Sequence, residues 1–245
     1  MKIALCLFGQ ARDVKESFPY WDLNLLQKHD VDVYAHTWIS DSGKPDLSCF
    51  NPVIHVSEPQ KDFGLNFVTS TNIRHHDRSL VPSAINPQIS RQKLLVRSPD
   101  REWYANPHNT LSMLYSRHQS NFLRKIANEP YDFIVSSRTD VCLGQPLPFH
   151  HLSRDIHPMT VTVPQMGAHH PGSRVEHFAC DHILIARPAA MDIACDTYHY
   201  YHQLYFLGVD SVPEMMLGAQ IIRTGDVKLY KAPLDYKLWR DGVGK

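Results

Sequence analysis

The chain has 245 residues, of which 43% are hydrophobic and 20% charged, and its Lys plus Arg match its Asp plus Glu at 25 each. That composition suits one globular domain with a buried core, and the balanced charge argues against a nucleic-acid-binding surface as the main function. No apolar stretch reaches membrane-spanning length, so no membrane span is expected; the short apolar run at the N-terminus reads as a strand rather than a signal peptide, pointing to the cytoplasm of a bacterium or a host cell.

In chain order, residues 2–8 form a continuous apolar run ended by Gly9, the pattern of a short strand buried on both faces of a parallel sheet. A helix is expected over residues 18–29, with Trp21, Leu25 and Leu26 at helical spacing and Pro19 near its start. Residues 31–38 read as a second strand, which completes a βαβ unit. Residues 53–56 are a third, short strand candidate. The rest of 40–107, rich in Pro, Asn, Ser and Arg, reads as a loop long enough to be functional. Residues 110–128 carry Met113, Leu114, Phe122, Leu123 and Ile126 on a broad helical face that Pro130 ends.

An apolar strand that turns polar at its C-terminal end follows over residues 131–140, and the prolines at 146 and 148 mark its end. Further strands are expected over 160–163, 181–186 and 227–230, helices over 188–205 and 212–222, and a polar tail after 230. The whole reads as α/β, with a doubly wound sheet. The five cysteines (Cys6, Cys49, Cys142, Cys180, Cys195) are scattered and odd in number, which suits buried thiols better than a disulfide framework. The sixteen histidines cluster in pairs flanked by proline and glycine, without Cys-x-x-Cys or His-Glu-x-x-His spacing, so they read as loop histidines rather than zinc ligands.

Ligands of an open parallel sheet bind at the carboxyl ends of its strands. Three polar clusters fall there: Phe8-Gly9-Gln10-Ala11-Arg12, His36-Thr37-Trp38 and Ser137-Arg138-Thr139-Asp140. Gly9 permits close backbone approach and Arg12 suits a diphosphate. A plain glycine turn with a solvated Arg12 reads equally well, since the dinucleotide and P-loop glycine patterns are both missing. Asp140 is the candidate ligand of a divalent metal bridging the phosphates of a sugar nucleotide. Arg138 can serve the same charge beside the metal or in its place; the alternative is an Arg–Asp pair closing the strand end. Asp181 is a candidate base for an acceptor hydroxyl, or a hydrogen-bond partner for donor-sugar hydroxyls. Glu214, after Pro213, is a second catalytic candidate, although a helix-start carboxylate accounts for it slightly better.

The blocks Lys2 to Arg12 and Asp30 to Trp38, followed by Ser112-Met113-Leu114-Tyr115-Ser116, Tyr131 to Asp140, Asp181, Ala190-Met191-Asp192 and Pro213-Glu214, resemble in content and order a group of bacterial and large-virus glycosyltransferase-family proteins. The resemblance implies a GT-A-like fold, a Rossmann-type, mostly parallel sheet flanked by helices. It implies one domain over 1–245, with a nucleotide-sugar-binding half (1–140) and an acceptor and catalytic half (141–245). It also implies a nucleoside-diphosphate-sugar donor, a glycan or glycoprotein acceptor, and Mn²⁺ or Mg²⁺ at an Asp-x-Asp position. Here Arg138-Thr139-Asp140 keeps only the second aspartate. Ser112 and Ser116, four residues apart on one helix face, read as site hydroxyls or as small packing residues. The rival readings are a nucleotidyltransferase, which calls for a Gly- and Lys-rich loop after the first strand, and a non-catalytic nucleotide- or carbohydrate-binding module.

Overall fold

A computed structural model describes residues 1–41, 43–63, 107–165, 178–207, 209, 211–240 and 243–244. Most of the expected loop, and the Gly- and His-rich segment before Asp181, lie outside the described residues. The chain is α/β. A central sheet of seven strands has the order β3-β2-β1-β4-β7-β6-β8, built from β1 (Lys2–Gln10), β2 (Asp30–Ile39), β3 (Ile54–Pro59), β4 (Phe133–Arg138), β6 (Thr160–Pro164), β7 (Ile183–Ala186) and β8 (Lys228–Ala232). Strands β3, β2, β1 and β4 are mutually parallel, β7 runs antiparallel to both its neighbours, and β8 is parallel to β6. The sheet is therefore mostly parallel, with one reversed strand, and strands from both halves of the chain build it.

The unbroken apolar run of β1 has a direct cause. Ile3, Leu5 and Leu7 face one core cluster with Trp21 and Leu25, while Ala4 and Cys6 face a second with Tyr34, Leu184 and Met191. A strand covered on both sides has no solvent face to carry polar residues. Helix α1 (Val14–Trp21) covers the first face, and α2 (Pro107–Ala127) packs on β1 and β2. Four further helices complete the layers: α3 (Phe149–Arg154), α4 (Pro188–Cys195), α5 (Thr197–Phe206) and α6 (Pro213–Arg223). All five cysteines are free and only Cys49 is exposed. No described helix is long and apolar enough to cross a membrane.

Several expectations are corrected. The first helix begins at Val14, so Pro19 stands inside it; the chain continues as a π-turn over Asp22–Leu26, where the helical ladder readjusts after the missing proline N–H. The helix expected over 188–205 is two, broken at Asp196. The stretch after Asp140 and the polar tail both form strands: β5 (Val141–Leu143), β9 (Tyr236–Arg240) and β10 (Val243–Gly244) make a second, antiparallel sheet of order β10-β9-β5. Trp21 Nε1 donates to Val141 O at 2.6 Å and Asn24 Nδ2 to Leu143 O at 2.7 Å, which fastens α1 and its π-turn to β5.

Candidate active site

The chain leaves β1 towards β2 and β3 on one side and later returns to place β4 on the other. The carboxyl ends of β1 and β4 therefore bound the topological switch point, where open α/β sheets hold their ligands. A cleft of about 440 Å³ opens there. From β1 and its loop it is lined by Phe8, Gly9, Gln10 and Arg12; Trp38 stands at the end of β2 and Ser112 on the first turns of α2. Arg138, Asp181 and Glu214 form the opposite wall. Residues distant in sequence thus meet on one sheet edge. The lining also includes Gln60, Asn109 and His182, which sequence reasoning missed; Asn109 at a helix start and His182 beside Asp181 were the available signals.

The other expected residues lie behind this wall. Ser116 Oγ accepts the Gly9 N–H at 2.8 Å and lies 2.9 Å from both His36 O and His36 Nδ1. Gly9 has φ +96°, a conformation that favours glycine, so Ser116 braces the turn from beneath. His36 Nε2 lies 2.9 Å from Glu58 Oε1. Burial lowers the His36 pKa against the pull of Glu58, so the imidazole is neutral, donates to Glu58 and joins β2, β3 and α2. Thr37 points to the other face of β2, where its hydroxyl lies 2.8 Å from His55 Nε2 and 2.9 Å from Ser57 Oγ.

Asp140 is also behind the lining. Arg138 forks onto it, Nε to Oδ1 at 2.9 Å and Nη2 to Oδ2 at 2.5 Å, and the Asp140 side chain is 3% exposed. Two residues apart on an extended chain share a face, so the fork follows from local geometry. Thr139, between them, turns the other way and donates to Gln10 O at 2.9 Å, tying the ends of β4 and β1 together. Both oxygens of Asp140 are thereby committed to a guanidinium, and no second carboxylate stands beside it at the first position of the Asp-x-Asp pattern. This donor set does not fit the Mn²⁺ or Mg²⁺ expected at Asp140. The fork instead holds Arg138 rigidly at the cleft wall.

Asp181 and Glu214 form a carboxylate pair. Burial works against ionisation of Asp181, but His182, Arg138 and Arg117 outweigh it and hold its pKa below the usual range. Glu214 goes the other way: burial first, and the charge of Asp181 second, push it up to about 8. Environments that separate two carboxylates this way set up one anion and one neutral acid. Arg117, 1% exposed, lies under the pair: it donates through Nη2 to Asp181 O, and its guanidinium stacks 4.4 Å from the Phe8 ring centroid. His182 Nδ1 lies 2.8 Å from Tyr236 Oη, while its Nε2 faces Asp181 Oδ1 at 3.6 Å. Tyr236 therefore fixes the ring with Nε2 towards the carboxylate. Cys180 also neighbours Tyr236, and burial pushes its thiol up to about 12. The cleft thus sets two carboxylates, one with its pKa lowered and one with its pKa raised, against fixed guanidiniums. No protein-family model and no curated protein matches the chain.

Proposed function

We propose that the chain is a GT-A-like glycosyltransferase that moves a sugar from a nucleoside-diphosphate donor to a carbohydrate hydroxyl of a glycan or glycoprotein. The observation that carries this reading is the pairing, in one switch-point cleft, of a glycine turn and a rigid Arg138 with the Asp181–Glu214 pair. Diphosphate oxygens are recognised by planar guanidiniums, which Arg12 and Arg138 offer on the β1 and β4 sides, while Gly9, without a side chain, permits close approach to the backbone. The acceptor oxygen attacks the anomeric carbon, and the bond from that carbon to the diphosphate breaks with its electron pair on the leaving group. Arg138 meets the negative charge that builds there. The acceptor proton passes to a carboxylate.

Glu214 suits that proton transfer, because a base works best with a pKa near the working pH. Asp181, held ionised, faces the positive charge that develops on the sugar ring or bonds its hydroxyls. This assignment moves the base from Asp181 to Glu214. The test is the melting temperature of the purified protein against UDP-, GDP-, CMP- and dTDP-sugars, each with and without Mn²⁺. One nucleotide family is expected to raise it, without a requirement for Mn²⁺, and nucleoside diphosphate is expected to be released on turnover. Asp181→Asn should lose the turnover and keep the nucleotide-dependent shift. No shift with any donor at millimolar concentration would overturn the reading and favour a binding module of another specificity.

A further inference from the structure

Outside the cleft, three residues from two helices and the corner between α4 and α5 meet where α2 passes that corner. His118 Nε2 on α2 and His199 Nε2 on the first turn of α5 lie 3.2 Å apart, with the rings nearly perpendicular at 80° and a centroid distance of 4.4 Å. Asp196, at the corner itself, places Oδ1 3.7 Å from His118 Nδ1. One ligand atom from each of the three lies within 4.8 Å of the others. We infer that His118, His199 and Asp196 form a site for a divalent transition metal of the zinc type, which would tie α2 to the α4–α5 corner.

The geometry favours this class of ion. A metal–nitrogen bond of about 2.0–2.1 Å and tetrahedral angles place two imidazole nitrogens about 3.3 Å apart, close to the separation found here. Imidazole pairs select Zn²⁺, Ni²⁺, Co²⁺ or Cu²⁺ over Mg²⁺ and Ca²⁺, which prefer oxygen. Asp196 faces the far nitrogen of His118 at 3.7 Å, longer than a hydrogen bond but on the side where a carboxylate steadies a metal-bound imidazole. His118 is preorganised by its neighbours, with Tyr198 5.8 Å and Phe122 6.5 Å away between ring centroids.

No proton need leave on binding. With the His118 proton on Nδ1, its Nε2 accepts the Nε2–H of His199 in the metal-free protein. Metal binding replaces that hydrogen, and His199 carries its proton on Nδ1 instead. The remaining coordination positions face outward, since His199 is exposed, and take water.

The experiment is titration of the tag-free full chain with Zn²⁺, followed by histidine NMR signals and by melting temperature, with Co²⁺ as a spectroscopic probe. One equivalent is expected to bind saturably, broadening or shifting the His118 and His199 signals and raising the melting temperature. His199→Gln, at an exposed position, should fold normally and weaken Zn²⁺ binding by about 10-fold or more, and Asp196→Asn should weaken it by about 10-fold. Cys180→Ser and Asp181→Asn should leave it unchanged. Zn²⁺ binding that survives His199→Gln, or is lost with Cys180→Ser, would overturn the assignment, as would no binding by the wild type.

Discussion

Replacing Glu214 with glutamine removes one titration and keeps the side chain's shape. In the folded protein the Glu214 carboxyl is pushed from 4.5 up to about 8, first by burial and then by Asp181. A carboxyl with a raised folded pKa holds its proton more tightly in the folded state. Its contribution is therefore fully present below about pH 4.5 and is lost as pH rises through about 8. Within that window the limiting slope is about 1.4 kcal/mol per pH unit. Between about pH 5.5 and about pH 7.5 the wild type should lose roughly 2–3 kcal/mol relative to Glu214→Gln. Asp181 does not interfere, because its folded pKa lies below 3.8 and its contribution is lost only at more acid pH. Urea unfolding of both proteins across this range measures the difference directly. Parallel stability curves would refute the idea that Glu214 is a desolvated neighbour of an ionised Asp181.

Other outcomes follow from the same geometry. Activity in the wild type should rise with pH as Glu214 ionises, with a limb near 8, and Glu214→Gln should abolish the limb in kcat/KM while leaving nucleotide binding in place. Arg138→Lys should keep the charge but lose the fork onto Asp140, so nucleotide affinity should drop about 10-fold or more by calorimetry. Gly9→Ala should cost about 1–3 kcal/mol through its φ of +96° alone, since the added carbon meets nothing within 4 Å; chemical denaturation reads the loss. Trp21→Phe should cost about 1–3 kcal/mol by the same method, because it leaves Val141 O buried without its indole donor.

The parallel core was legible because β1, covered on both faces, carries an unbroken apolar run, and β2 and β4 carry the short apolar stretches Val33-Tyr34-Ala35 and Phe133-Ile134-Val135. The antiparallel sheet was not. Tyr236–Arg240 mixes Lys, Trp and Arg with Leu, and its strand character comes from pairing with Val141–Leu143, a partner more than ninety positions away. Pro19 marked a helix start by local preference, yet packing of Val14 and Ser17 draws the helix through it. The cleft was largely legible as polar ends on apolar strands. What the sequence did not show was which side of each strand a residue takes. His36 and Thr37 were read together, although alternation sends them to opposite faces, and the i, i+2 spacing of Arg138 and Asp140 signalled a fork as well as a metal position. The raised pKa of Glu214 is a property of its buried surroundings, which no helix-start pattern reveals. Arg117 was passed over for the same reason: only the fold brings it beneath the carboxylates.

The backbone N–H of Trp239 donates to Asp140 O at 2.8 Å, and Tyr236 orients His182. This has a consequence for biosynthesis. A nascent chain that has emerged from the ribosome only as far as Ala232 already contains every strand of the seven-stranded sheet, yet has neither of these contacts. Its hydrophobic layers can close while the loop after β4 and the imidazole beside Asp181 remain unanchored. The candidate cleft would then be completed only after the core has folded, so premature termination just before β9 would give a compact polypeptide with an unfinished cleft wall.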